Sequence, residues 1–485
     1  MRFRLISFLL AVTLAGAGRA LAQRGPLDRL LDSVAGEEAL RPRLFAFADS
    51  VAGSQPRLAS EALSIAGQSF ARHGELDSAV TCYTRAVAFD GGEKRRLELA
   101  EAMLARLGPG DAQRARDVLR PVQPITPELP DPSQAVTQGL FAWALFLSGQ
   151  PDSAARLLAP AEPWLSTQQE WRYRLACVSD QREEWIRVQL LLTPLGVASR
   201  TYDRDVMDLL STSADKLNAA RRLKPMLARE IHNRDLIEQA LIDDLGGRRI
   251  AFRAPDGFPL AGTVLAPPRA PHARMAVVVV APGDTLALYD SLAVGLRHLG
   301  LAVILLDPRG SGRSVGPSCP LPGAWRGRES AMVDAVAGDV AVAATALARE
   351  VGADSTQYLA VGVGTTGPIA VAAAVKDPRV RLMMLVSPTA SPCERGALRA
   401  AVAAWKRPIY FQTAGEDLSA ADLIDLLYRA TDMRVCRVAE SDRPGTRAKL
   451  FRRDPQIMAR FKQWMTESWP RSAPRSTRPP RPKTG

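Results

Sequence analysis

The sequence predicts an α/β domain with a mostly parallel sheet and helices on both faces, placed after an all-helical domain. A length of 485 residues exceeds that of one typical domain. Residues 25–223 lack β-branched runs, whereas after residue 248 short apolar runs alternate with helical segments. The predicted domains are therefore a helical domain at 23–223, a connector at 224–247 and a sheet domain at 248–469.

The N-terminus has the features of an export signal. A basic MRFR start precedes an apolar run from Leu5, and Ala20-Leu21-Ala22 matches an A-x-A cleavage site. The apolar run is short for a membrane span. We expect residues 1–22 to be a signal peptide cleaved before Gln23. The mature protein would then be periplasmic or secreted, without stable membrane insertion. The alternative is an uncleaved N-terminal anchor.

Charge and cysteine content narrow the possible partners. The net charge is +12, but arginine is spread along the whole chain and no nucleic-acid motif occurs, so no nucleic-acid partner is expected. The five cysteines have no metal-binding spacing, so no metal site is expected. No other cofactor is expected either. Cys319 and Cys393 lie in loop-like contexts and are candidates for a disulfide.

Residues 470–485 are rich in Pro, Arg and Ser and should be disordered.

A short signature recurs in the helical domain. The segment from Ala62 to Asp90 alternates small and large residues as two packed helices would, with a turn at Gly74. A glycine followed five residues later by alanine occurs three times, at Gly74–Ala79, Gly110–Ala115 and Gly149–Ala154. This pattern resembles the tetratricopeptide repeat. The resemblance implies a helical solenoid whose groove binds a protein or peptide partner. An ordinary helical bundle is the alternative.

The second domain contains eight predicted strands separated by helical segments. Several of the strands are continuous apolar runs, as strands buried on both faces are. They lie in RRIAFR, LAGTVLAPP, MAVVVVAPGDT, LAVILLDPRGSGRS, YLAVGV, VRLMMLVSP, RPIYFQTAGED and MRVCRVAES, and RRDPQIMARFKQWMTESW follows as a closing amphipathic helix.

Two motifs in this domain carry a family resemblance. They are DPRGSGRS, at Asp307–Ser314, and the opening APDG followed by LAGTVLAP. With the order of elements, they resemble the α/β-hydrolase superfamily over Arg248–Trp469. A generic nucleotide-binding sheet is the alternative, but the first turn has no G-x-G-x-x-G. The resemblance implies a triad of serine, acid and histidine, in that chain order.

The expected nucleophile is missing. In the G-x-S-x-G elbow, the serine position falls on Gly364. Glycine tolerates the strained backbone of the elbow but offers no nucleophile. Thr365, Thr366 or Ser387 would be needed as a substitute.

The acid position is ambiguous and the base is absent. Asp417 or Glu416 could serve as the acid after the seventh strand. No histidine follows the eighth strand, where the base should lie. The four histidines of the chain are His73, His232, His272 and His298.

A ligand pocket can remain in a domain that lacks the catalytic triad. The turn with Gly283 and Asp284, together with Thr365 and Thr366, would line it, and backbone amides there would bind a carboxylate or carbonyl group. The sequence favours an exported, non-catalytic binding or scaffold protein with a degenerate hydrolase domain. The alternative is a secreted esterase, acyltransferase or peptidase with a non-standard nucleophile.

Overall fold

A computed structural model describes residues 25–121, 132–269, 272–321, 324–445 and 447–469. The predicted signal peptide at 1–22 and the predicted tail at 470–485 lie outside these residues.

The described chain before residue 247 consists of helices joined by short turns and loops, and no strand occurs in it. Consecutive helices pack against each other, and contacts between next-but-one helices join the pairs into a layered array. The helices are α1 (Pro26–Ser33), α2 (Glu37–Val51), α3 (Pro56–Arg72), α4 (Leu76–Phe89), α5 (Glu93–Arg106), α6 (Asp111–Leu119), α7 (Pro132–Leu147), α8 (Pro151–Leu165), α9 (Gln169–Gln181), α10 (Trp185–Ser199), α11 (Arg204–Lys216) and α12 (Ala220–Asp244).

The three glycines of the repeated signature share one backbone conformation. Gly74, Gly110 and Gly149 lie between paired helices with φ of 77°, 75° and 80°, in the left-handed region that glycine adopts without strain. The alanine five residues after each glycine is fully buried, as the helix-pair pattern predicts. These alanines are Ala79, Ala115 and Ala154.

Two further turns of this kind escape the sequence pattern. Glu183 and Asn218 have φ of 61° and 53°, and the amide that follows each one bonds the carbonyl five residues before that amide, as after Gly74 and Gly149. The left-handed positions 149, 183 and 218 are therefore 34 and 35 residues apart. The helical array thus continues beyond the three copies that glycine marks.

One helix covers most of the predicted connector at 224–247. Helix α12 runs without a break through the expected boundary at 223/224. Leu223 and Leu227, near its start, pack in the core of the helical domain, whereas Leu241, near its end, packs against the core of the sheet domain. This helix therefore contributes to the cores of both domains, and the domain boundaries at 223/224 and 247/248 remain a prediction.

The sheet contains all eight predicted strands. Its order is β1-β2-β4-β3-β5-β6-β7-β8; β2 is antiparallel to both neighbours, and β4, β3 and β5 to β8 run parallel. The strands are β1 (Arg248–Arg253), β2 (Pro259–Leu265), β3 (Arg274–Val279), β4 (Leu301–Asp307), β5 (Tyr358–Val363), β6 (Val380–Val386), β7 (Ile409–Ala414) and β8 (Arg437–Ser441).

Helices cover both faces of the sheet, and each face has its own apolar core. Alternate residues of β3 divide between the two cores, with Val277 on one side and Val278 on the other. The helices are α13 (Asp290–His298), α14 (Glu329–Val351), α15 (Gly367–Lys376), α16 (Arg395–Ala404), α17 (Leu418–Arg429), α18 (Lys449–Arg453) and α19 (Gln456–Ser468).

Helix α14 is the one helix in the described ranges with the length and composition of a membrane span. It packs against β3 and β4, and Val336, Val340 and Leu347 on it are fully buried in a sheet core.

The two domains are in direct contact. Arg395 at the start of α16 donates to Asp32 of α1 at 3.0 Å. Gly396 beside it packs so closely that a Cβ there would lie 1.9 Å from the carbonyl oxygen of Val34. Arg72 at the end of α3 forms an ion pair with Glu394, in the segment after β6. The helical domain thus contacts the loop that leaves the carboxyl end of β6.

The suggested disulfide does not form. Cys319 and Cys393 are free thiols in separate cores. Cys393 packs among apolar residues of α1 to α4, whereas Cys319 lies beside Met332 in a separate apolar cluster. Burial raises the pKa of Cys393 to about 12, so its thiol behaves as a small core residue.

Candidate functional site

Strand β5 ends in the sharp turn predicted from the sequence. Gly364 follows the strand with φ of 58°, begins a single 3-10 turn and leads into helix α15. A Cβ on Gly362 would lie 2.6 Å from the carbonyl oxygen of Thr366, so the turn closes tightly over the strand end. The elbow backbone is therefore present without a nucleophilic side chain.

An arginine occupies the space above Gly364. A Cβ built on Gly364 would lie 2.9 Å from Nε and 3.1 Å from Cδ of Arg447. Arg447 belongs to the loop after β8, where the histidine of a triad was expected, and has a left-handed φ of 56°. The loop that should supply a base therefore supplies a guanidinium group, which has hydrogen-bond donors but no acceptor.

A cleft of about 280 Å³ opens beside Gly364. It lies at the carboxyl ends of β3, β6 and β7, and residues that follow each of these strands meet there. Its lining residues are Asp284, Leu288, Ser387, Thr389, Asp417, Ser419, Arg447, Ala448 and Lys449. The four histidines are all within the described chain, and none lines this cleft.

The two candidate acids have different positions. Asp417 lines the cleft and caps helix α17, where its Oδ1 accepts the amide of Ala420 at 3.3 Å and the hydroxyl of Ser419 at 3.2 Å. Glu416 accepts the amide of Gly445 at 2.8 Å and so ties the turn after β7 to the loop that carries Arg447.

Asp284 also lines the cleft, as the sequence suggested. It accepts the buried hydroxyl of Tyr289 at 3.0 Å, and the same hydroxyl accepts the amide of Ala281 at 2.8 Å. Burial raises the pKa of Tyr289, which keeps this hydroxyl protonated. The Ala281 amide therefore already has a hydrogen-bond acceptor within the protein and is not free to bind a ligand. Gly283 has a φ of 85° with open space around it and does not line the cleft.

The assignment of Thr366 to the pocket is corrected. Thr366 is fully buried, and its hydroxyl accepts the amide of Val363 at 2.8 Å and donates to the carbonyl of Val279 at 3.0 Å. This hydroxyl therefore joins β3 to β5. Thr365 is exposed and is not among the cleft-lining residues.

Ser387 is the buried polar residue of the cleft. It follows β6 with φ of 40°, a conformation that costs a non-glycine residue about 1–3 kcal/mol. Only 1% of the residue is exposed, and its hydroxyl has no hydrogen-bond partner within the described ranges. A serine nucleophile needs a base within hydrogen-bond reach, and none is present here.

Sequence reasoning missed the basic residues of the cleft. Arg447 and Lys449 both come from the segment TRAK, which follows β8. Neither side chain makes a hydrogen bond or ion pair with another residue in the part of the chain that the structure describes. The signal available in the sequence was this pair of cations in the loop after β8, where the histidine had been expected.

The DPRGSGRS motif has a structural role. Arg309 is 8% exposed and forms two hydrogen bonds, of 2.7 and 2.8 Å, with the carboxylate of Asp339 on α14. It also pairs with Asp256 in the turn between β1 and β2. These bonds raise the pKa of Arg309. The motif therefore holds the start of the domain against α14.

No group of three or more potential metal ligands occurs among the described residues.

Comparisons with known proteins give structural similarity at low identity. No family model matches the chain, and no curated protein matches it. A cold-adapted esterase from an Arctic intertidal metagenomic library covers 46% of this chain and 93% of its own, at 16% identity and a TM-score of 0.36. The Pyrococcus furiosus esterase Pf2001 covers 47% and 95%, at 12% identity and a TM-score of 0.37. The α/β hydrolase GrgF from Penicillium sp. sh18 covers 46% and 98%, at 13% identity and a TM-score of 0.36.

The strand order, the antiparallel β2, the helices on both faces and the elbow after β5 are all properties of the chain itself. On these grounds the C-terminal half of the chain has the α/β-hydrolase fold, and a helix-rich domain precedes it.

Proposed function

We propose that the sheet domain binds a ligand without turning it over, and that the protein acts as an exported binding or scaffold protein. The observation that carries this proposal is the side chain of Arg447, which fills the space above Gly364. The cleft also lacks an imidazole, and the covalent serine mechanism needs both a nucleophile and a general base.

The alternative is a hydrolase that uses Ser387. One observation favours it: Ser387 has a strained backbone and lines the cleft, and strained residues cluster at functional sites. The lack of a base beside its hydroxyl speaks against it.

The two candidates differ in reactivity. The purified mature protein should hydrolyse activated esters no faster than buffer and should remain unlabelled by a fluorophosphonate probe. Gly364→Ser should also remain unlabelled, because the restored hydroxyl still has no base. Labelling of the wild type that disappears in Ser387→Ala or Thr365→Ala would establish the hydrolase instead.

The helical domain is the proposed partner-binding part. Helix α10 exposes Ile186 and Leu190, one turn apart, to 66% and 70%. A partner surface on a helical array is typically a set of such side chains. If they bind the partner, Ile186→Glu with Leu190→Glu should abolish its cross-linking to the protein in cells, while Ile237→Glu, at an equally exposed position on α12, should not.

Export rests on the sequence of residues 1–22. The expected result is a mature chain that begins at Gln23 and is recovered outside the cytoplasm. N-terminal sequencing of the protein from a fractionated native host tests it. A chain that retains Met1 in the membrane fraction would favour the uncleaved anchor.

A further inference from the structure

We infer that the cleft beside Gly364 binds a small monocarboxylate, and that Arg447 and Ser387 are its main polar contacts. The inference rests on the proposed function and deepens it, since it names the ligand class and the groups that recognise it. The contacts come from the loop after β8 and from the end of β6, not from the residues of a triad.

Some charged groups of the cleft have hydrogen-bond partners within the described protein and others have none. Arg447 and Lys449 have no side-chain partner in the described ranges, whereas Asp284 accepts the Tyr289 hydroxyl and Asp417 accepts the Ala420 amide. The groups without a partner among the described residues are therefore the donors, and both are exposed to solvent. A guanidinium group binds a carboxylate through two parallel hydrogen bonds, which is the strongest contact available to it.

Ser387 supplies the second, independent observation. Its hydroxyl is buried, lines the cleft and lacks a partner among the described residues. An unsatisfied buried hydroxyl lowers the stability of the folded state, in addition to the cost of the left-handed backbone. Both costs fall on one residue at the wall of a cleft. A ligand oxygen that accepts from this hydroxyl would remove the first of them.

The charge and size of the cleft restrict the ligand. Two carboxylates and two cations line it, so its formal charge is close to zero and a dianion such as a phosphate monoester would meet Asp284 and Asp417. A volume of about 280 Å³ lies at the lower end of small-molecule sites. Leu288 and Ala448 offer limited apolar contact, enough for a short alkyl chain. These features favour a short-chain monocarboxylate over a phosphate.

The test is calorimetric titration of the full-length mature protein with acetate, propionate and butyrate, and separately with inorganic phosphate. We expect saturable carboxylate binding with little or no phosphate binding. Arg447→Ala should weaken carboxylate affinity at least tenfold. Arg443→Ala, which removes an exposed arginine of the same loop that does not line the cleft, should leave it unchanged.

Ser387→Ala gives a readout that a structural role would not produce. It should weaken binding while leaving thermal stability unchanged or higher, because it removes an unsatisfied buried group. Absence of carboxylate binding, tighter binding of phosphate, or binding unaffected by Arg447→Ala would overturn the inference.

The ester-hydrolysis and fluorophosphonate assays are separate readouts on the same samples. Turnover together with Arg447-dependent carboxylate binding would overturn the proposed function and leave this inference standing. Absence of both turnover and carboxylate binding would overturn this inference and leave the proposed function standing.

Discussion

The side chain of Arg447 lies over the α-carbon of Gly364, with its Nε 2.9 Å from the point where a Cβ at residue 364 would be. Both residues have a left-handed backbone, with φ of 56° and 58°. The two positions where the nucleophile and base of a triad were expected thus hold a glycine and an arginine that lie against each other.

This contact predicts an energetic coupling between positions 364 and 447. Gly364→Ala should destabilise the protein by about 1–2 kcal/mol through left-handed strain alone, with an additional cost where the new methyl group meets Arg447. In an Arg447→Ala background the additional cost should disappear. Urea unfolding of the four chains of this double-mutant cycle measures it. An equal cost in both backgrounds would mean that Arg447 does not occupy this space in solution.

Asp307 predicts a pH dependence of stability. Burial raises the pKa of its carboxyl group to about 6, above its ordinary value, although it accepts the amide of Arg313 at 3.0 Å. The folded protein therefore holds this proton to a higher pH than the unfolded chain does. The contribution of Asp307 to the free energy of unfolding should fall as pH rises from about 4 to 6 and then stay level.

Asn at position 307 can still accept the Arg313 amide but cannot ionise. The difference in unfolding free energy between the wild type and Asp307→Asn should therefore change across this pH range and remain constant above it. Urea unfolding at several pH values gives both curves. A difference that does not vary with pH would show that Asp307 has an ordinary pKa.

The contact between the domains predicts a strong effect at Gly396. A methyl group there would lie 1.9 Å from the Val34 carbonyl oxygen, so Gly396→Ala should separate the start of α16 from α1. We expect a lower midpoint of thermal unfolding and faster proteolysis near residue 34.

Gly338 is the matched control, because it lies within helix α14 with nothing within 4 Å of an added Cβ. Gly338→Ala should be neutral or stabilise the helix by up to about 1 kcal/mol. Equal behaviour of the two variants would place α1 away from α16 in solution.

The turn at Glu183 predicts a stabilising substitution. With φ of 61°, this position suits glycine, and Glu183→Gly should raise the free energy of unfolding by roughly 0.5–1 kcal/mol. The same change at Glu61, which is exposed within α3, should lower it by about 1 kcal/mol. Chemical unfolding followed by circular dichroism compares them. Destabilisation by Glu183→Gly would argue against the left-handed turn.

Most of what could be predicted of the fold follows from short stretches of sequence. The eight strands are apolar runs that end in turns, and Gly74, Gly110 and Gly149 mark turns because glycine accepts a left-handed backbone. Glu183 and Asn218 adopt the same turn without that marker, so the later helix pairs were not recognised as copies. Helices α16 and α17 were also not assigned from the sequence.

The site was only partly predictable, for a different reason. Gly364 and Asp417 follow strands, and their neighbourhood follows from the order of the sheet. Arg447 reaches Gly364 across more than 80 residues of chain, and such a contact depends on where the loop after β8 folds back. Thr366 was misplaced because its hydroxyl satisfies backbone groups of β3 and β5, a contact that adjacent sequence does not reveal.

The unbroken helix α12 makes the two halves of the molecule mechanically continuous. A flexible linker would let the helical domain move independently of the sheet domain. A continuous helix of 25 residues, followed after three residues by the edge strand β1, instead couples a tilt of the helical array to the edge of the sheet. A partner that bends the helical domain would therefore also twist the edge of the sheet.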